Sequence, residues 1–178
     1  MSAIANQIGR IGAHLLFQPR LRQNRAVRRF ASGVPTGSRL LEFGSGKPVG
    51  GRYPYSASRF FPHCNVTTSD IIAEYGHAVV DITNPPFEAE FDCALAASVI
   101  EHVSDPQAAV AGIHRVLRPG GIAGIAVPFF YPLHDEPLDY WRFTEHALRM
   151  LLADFSEVRI DCSGPRKAPV FYFATAIK

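Results

Sequence analysis

Arg39-Leu40-Leu41-Glu42-Phe43-Gly44-Ser45-Gly46 decides the fold of this chain. A short apolar strand runs into an acidic residue and then a tight Gly-x-Gly turn. Glycine lacks a Cβ, so the backbone can turn sharply and a ligand can lie against it. Nucleotide-like ligands are received in this way at the carboxyl end of a parallel strand. A Gly-x-Gly turn alone is common in ordinary loops. Three later features stand where the same site needs them: Asp70, Asp81, and the segment from Glu101-His102-Val103 to Arg118-Pro119-Gly120-Gly121.

Working outward, Leu40 to Phe43 reads as the first strand and Asn65 to Ser69 as the second, with Asp70 at its end. The crossover between them holds Pro48, Gly50, Gly51, Pro54 and Pro62, which is poor helix material, so a short helix is expected near 55–61. His77 to Val80 reads as a third strand ending at Asp81, and Phe91 to Ala97 as a buried fourth. The clearest helix follows. Ser104 or Asp105 caps it, Pro106 sits in its first turn, and Val110, Ile113 and Leu117 share one face. Pro119-Gly120-Gly121 should stop it. Ile122 to Val127 is a fifth strand, and Thr144 caps a helix containing Ala147, Leu148, Leu151 and Leu152. Strands near 156–162 and 170–177 flank Gly164-Pro165 and are close enough in sequence to pair antiparallel. Strands alternating with helical segments argue for a parallel α/β sheet covered on both faces.

Upstream, Ile4, Ile8, Ile11, Leu15 and Leu16 fall at helical spacing, which predicts a helix over 3–17 ended by Pro19. A second helix is expected over 20–31. Gly33 and Pro35 then mark a boundary between an N-terminal helical extension, residues 1–34, and the repeating domain, residues 35–178. Arg10, Arg20, Arg22, Arg25, Arg28 and Arg29 crowd this extension with no acidic residue among them. They read either as a solvated helix face or as a contact for an anionic substrate, partner or membrane surface.

At 178 residues with 47% apolar composition, the chain suits one core. A net charge of +2 is too small to argue for nucleic acid. Cys64, Cys93 and Cys162 are scattered, with no metal spacing, so a reduced, cytoplasmic protein is expected. No signal peptide or transmembrane segment is expected. Nor do the His, Asp and Glu residues display a metal-ligand spacing, so no metal is expected.

With these residues in hand, the chain resembles the class I S-adenosylmethionine-dependent methyltransferases, in particular the type 11 methyltransferase domain. The resemblance runs from about Ser38 to the C-terminus. It implies a Rossmann-like, mostly parallel seven-stranded sheet of order 3-2-1-4-5-7-6 with strand 7 antiparallel. It also implies S-adenosylmethionine as cofactor. Glu42, Gly44, Ser45 and Gly46 match the loop around the cofactor's methionine end, the acidic side chain favouring its ammonium. Asp70, followed by Ile71, matches the acidic residue that accepts from the ribose hydroxyls. Asp81 and Ile82 match the pair that holds adenine, and Ser98 lies near the methionine chain. The family's third glycine is replaced by Pro48, so the loop must take another path. That missing glycine also argues against a nicotinamide dehydrogenase.

The loop from Phe129 to Thr144 is rich in aromatic and acidic groups. The resemblance places it over the transferable methyl group. If the acceptor is a hydroxyl, a base titrating near neutrality is needed. His134 is the first choice, with Asp135 adjacent and Asp139 nearby to orient it; His102 is the second. Tyr140 and Trp141 would wall the site. The expected function is methyl transfer to a small-molecule acceptor, a hydroxyl of a glycan or natural-product intermediate. The alternative is a catalytically silent subunit that binds a partner protein. A homodimer is left open.

Overall fold

The computed structural model describes residues 19–178. The helix expected over 3–17 lies outside them. Seven strands form one sheet: β1 (Arg39–Phe43), β2 (Asn65–Asp70), β3 (Ala78–Val79), β4 (Phe91–Ala97), β5 (Leu117–Pro128), β6 (Glu157–Ser163) and β7 (Phe171–Ile177). Their spatial order is β3-β2-β1-β4-β5-β7-β6. The first five run parallel, and β7 pairs antiparallel with both β5 and β6. The order and the reversed strand agree with the resemblance. The helices are α1 (Pro19–Ser32), α2 (Pro106–Val116) and α3 (Glu145–Leu151).

Alternation along the central strands sorts side chains to two faces. Leu41, Phe43, Ala94 and Ala96 pack with Val110 and Ile113 of α2 and Leu148 of α3. Leu40, Cys93 and Leu95 pack on the other side with Val27, Phe30 and Ala31 of α1, Phe61, and Phe173. Phe30 meets Phe61 and Phe173 at ring separations of 6.2 and 5.6 Å.

Thus α1 covers a face that the crossovers leave bare. Between β1 and β2 there is only a 3₁₀ turn, Ser58–Phe60, in place of the helix expected over 55–61. Pro54 and Pro62 bracket a stretch too short for a stable α-helix. Two arginines of α1 serve this packing. Arg20 donates to Pro54 O at 2.6 Å and lies 4.7 Å from the Tyr55 ring centroid. Arg28 lies 5.3 Å from the Phe60 centroid.

Asp105 caps α2 by accepting from Ala108 N at 2.9 Å, with Pro106 in the first turn. The helix ends earlier than Pro119. Leu117 is already extended and pairs with Phe91, because the edge of β4 offers it a ladder. The Arg118–Gly121 turn then bulges inside β5 before Ile122 meets Cys93. Among the described residues no helix is long and apolar enough to cross a membrane.

Candidate functional site

The carboxyl ends of β1, β2, β4 and β5 gather the residues singled out in the sequence. Gly44 and Gly46 adopt φ values of +64° and +80°, which a side chain tolerates poorly. The turn they form is tied to β2. Ser45 N donates to Ser69 O at 2.9 Å, and Gly46 N donates to Asp70 Oδ2 at 2.9 Å. Asp70 Oδ1 accepts from Ile72 N at 3.1 Å. The Asp70 residue is only 7% exposed. A carboxylate offers about four acceptor positions, so each oxygen keeps one for a ligand hydroxyl.

Glu42 has partners that the sequence did not announce. Its carboxylate is buried and accepts from Ser45 Oγ at 3.0 Å, Ser56 Oγ at 2.6 Å, and Ala57 N. It therefore fastens the long crossover to the turn. Loss of these charge-assisted bonds would leave buried donors unpaired. Glu42→Ala is expected to lower the unfolding free energy by about 2 kcal/mol, measured by urea titration. A change below about 0.5 kcal/mol would remove Glu42 from this role.

Beyond the turn, Val49 and Arg52 exchange backbone bonds of 2.7 and 3.1 Å around Gly50-Gly51, whose φ values are +56° and +71°. Two consecutive positive φ values are those of a tight hairpin turn. This is the path that Pro48 imposes in place of a third cofactor-loop glycine. His77 bridges Gly46 O at 3.0 Å and Thr68 Oγ1 at 2.9 Å, and its ring lies 4.5 Å from the Tyr53 ring at a tilt of 52°. From the sequence His77 is only the start of an expected third strand, which begins instead at Ala78; its bridging partners lie up to thirty-one residues away.

After β3, Asp81 is exposed, and its Oδ1 accepts from Thr83 N and Oγ1 at 2.8 and 2.7 Å. Its other oxygen makes no hydrogen bond among the described residues. Ile82 is buried, while Ile71 is 61% exposed beside Asp70. Of the two, only Ile71 offers apolar surface to solvent. Ser98, exposed with φ +59°, donates to Gln23 Oε1 at 3.1 Å and so ties the site to α1.

The second half of the site is built by the 3₁₀ turn Ile100–His102 and the loop after β5. Tyr140 N and Trp141 N both donate to Glu101 O, at 3.0 and 3.2 Å. Trp141 Nε1 donates to Val103 O at 2.9 Å. Tyr140 and Trp141 remain nearly half exposed. Asp139 and Arg142 pair through two bonds of 2.7 Å. Asp139 also accepts from His134 N at 3.0 Å and lies 3.2 Å from His134 Nδ1. It is therefore Asp139, and not Asp135, that orients His134. Asp135 is exposed in a left-handed turn and makes no side-chain bond among the described residues. The Arg142 bonds hold the Asp139 carboxyl well below the usual carboxylate range.

His102 and His134 face each other at 4.8 Å and 75°. Glu101, between them and the core, is fully buried, and neither carboxylate oxygen meets a hydrogen-bond partner among the described residues. Burial pushes its carboxyl up to about 8; its own backbone amide, Arg142 and Ser98 lie near enough to oppose the shift but outside hydrogen-bond geometry, and Asp139 reinforces it. A separate hollow of about 440 Å³ lined by Gly37, Ser38, Asp92 and Arg118 lies at the amino end of the sheet, away from this chemistry.

The family model described as a methyltransferase domain matches residues 41–125. No curated protein matches the chain. Among solved structures, it is similar to 1,6-didemethyltoxoflavin N1-methyltransferase of Burkholderia thailandensis, bound to 1,6-didemethyltoxoflavin and S-adenosylhomocysteine. The TM-score is 0.68 and the identity 21%, covering 99% of this chain and 88% of that one. It is also similar to Haemonchus contortus phosphoethanolamine N-methyltransferase 2 in complex with S-adenosylmethionine, with TM-score 0.66 and 17% identity, over 88% of this chain and 52% of that one. A third is the putative methyltransferase of Haloferax volcanii in complex with the Trm112 methyltransferase activator, with TM-score 0.62 and 16% identity, over 95% and 93%.

Proposed function

We propose that this chain, which belongs to the S-adenosylmethionine-dependent methyltransferases through the domain in residues 41–125, methylates a hydroxyl of a small-molecule acceptor, of the glycan or natural-product type. The observation that carries the reading is Asp70. One buried carboxylate closes the glycine turn through Gly46 N and keeps acceptor capacity at the sheet's carboxyl edge. The residues present fit the cofactor. Asp70 suits two vicinal hydroxyls, the unused oxygen of Asp81 suits an exocyclic amine, and exposed Ile71 suits an aromatic ring face.

When bound, the cofactor supplies an electrophilic methyl group on sulfur. This chain's residues then have three tasks. The Gly44–Gly46 turn, fastened by Glu42 and Asp70, positions the methionine end. Tyr140 and Trp141 present aromatic surface towards the site mouth, which suits a cation or an acceptor ring. The cluster of Glu101, His102 and His134 handles the acceptor's proton, with His134 oriented by Asp139. α1, in the extension of residues 1–34, closes the same edge through the Ser98–Gln23 bond.

Asp70→Ala removes a charge-assisted acceptor worth about 1.5–3 kcal/mol. S-adenosylhomocysteine affinity is expected to fall about tenfold or more, read by calorimetric titration. Unchanged affinity would refute the ribose assignment. The activity itself is tested by supplying S-adenosylmethionine with phenols, glycans and small hydroxy acids. Production of S-adenosylhomocysteine in step with a methyl ether is expected. Binding without turnover on any acceptor class would favour the second reading, a silent subunit. The diverted Pro48 loop is the observation that favours that reading.

A further inference from the structure

We propose that Glu101, His102 and His134 form a site for a divalent cation of the zinc type, open on one side to an oxygen of the acceptor. One ligand atom from each residue lies within 4.8 Å of the other two. Zinc bonds of about 2.0–2.2 Å ask for roughly 3.3 Å between tetrahedral ligands. The two imidazoles are partly exposed, so drawing in by that difference displaces no fully buried ring.

Each imidazole is already oriented for this. His102 Nδ1 lies 3.1 Å from Leu138 O, and His134 Nδ1 lies 3.2 Å from both Asp139 Oδ2 and Pro132 O. An acceptor at Nδ1 places the proton there and leaves the Nε2 lone pair for a ligand. The carboxylate–histidine–metal arrangement uses the same second contact.

Glu101 is the independent observation. Its side chain is fully buried, and both oxygens lack a hydrogen bond among the described residues. A buried carboxylate in that state is costly unless something neutralises it. Arg142 does not. Its five N–H donors go to Asp139, Tyr131 O, Pro132 O and Trp141 O. A cation between Glu101 and the two rings resolves the vacancy of partners.

The donor set selects the metal class. Two imidazoles and one carboxylate suit zinc and its transition-metal neighbours, whereas magnesium and calcium favour all-oxygen shells. Three protein ligands leave a fourth position for an exchangeable oxygen. Under the methyl-transfer reading, on which this clause rests, that oxygen is the acceptor hydroxyl, made more acidic by the cation. Its proton leaves to solvent, the O–CH₃ bond forms and the S–CH₃ bond breaks. The products are a methyl ether and S-adenosylhomocysteine.

The test uses the untagged full chain, stripped with a chelator and titrated with Zn²⁺ in a calorimeter without cofactor. One equivalent should bind. Glu101→Gln and His134→Gln should each weaken binding about tenfold or more, while His146→Gln, an exposed imidazole elsewhere, should leave it unchanged. His102→Asn, on a half-exposed residue, provides the comparison if Glu101→Gln does not fold. No binding by the unaltered chain, or equal binding by the ligand variants, overturns the site. S-adenosylhomocysteine is titrated separately. Zinc binding without it sinks the methyl-transfer reading and leaves the cation site standing; the converse sinks the site alone.

Discussion

His134→Gln is expected to lower turnover by about 10²–10⁴-fold, the contribution of a positioned acid–base group. The ring stands at the carboxyl edge with Asp139 at 3.2 Å and the His102 ring at 4.8 Å. Glutamine keeps polarity but offers no imidazole nitrogen. If the ring takes the proton itself, the variant also loses the acidic limb of the pH–rate profile. If it holds a cation, the loss accompanies zinc affinity instead. Cofactor affinity should change little, because Asp70 and the glycine turn are untouched. Steady-state kinetics on an identified acceptor measures this. A variant within a few-fold of the unaltered enzyme would mean that alignment alone drives transfer.

Gly112→Ala should lower the unfolding free energy by about 3 kcal/mol, the upper end for an overpacked core. A Cβ at Gly112 would lie 1.8 Å from Ile82 O and 3.1 Å from Pro85 Cδ. The obstacle is backbone, not the tip of a flexible side chain. Relief requires α2 to move away from the strand ends, pulling Val110 and Ile113 off Leu41 and Ala94. Because Ile82 follows Asp81, cofactor affinity should fall with stability. Urea unfolding reads the effect, and a loss below about 1 kcal/mol would show that the helix has slack here.

The strands were legible because their signals are local. Phe91–Ala97 is apolar at every position but Asp92, and Asp105-Pro106 announces a helix start within two residues. What escaped depended on partners far along the chain. Leu117 reads as a helix residue until Phe91 offers it a ladder. Glu42 reads from the sequence as a ligand for an ammonium, and nothing local says that Ser56 and Ala57 also bond to it. Ile82 and Ile71 both follow an aspartate at a strand end, and nothing local says that α2 buries one of them. The meeting of His102 with His134 spans thirty-two residues. Its sequence signal was indirect: both follow strands that prove to be neighbours, β4 and β5. Asp139, offered with Asp135 as an orienting acid, was separable from it only through Arg142, whose bonds turn the loop inward.

The most direct test of the central claim is a crystal structure of the chain grown with S-adenosylhomocysteine. The expected result is one molecule per chain at the carboxyl edge, its ribose hydroxyls on the Asp70 carboxylate and its adenine against Ile71 and Asp81. A ligand seated elsewhere, such as the hollow between Gly37, Asp92 and Arg118, would contradict it. So would a chain that binds none at saturating concentration.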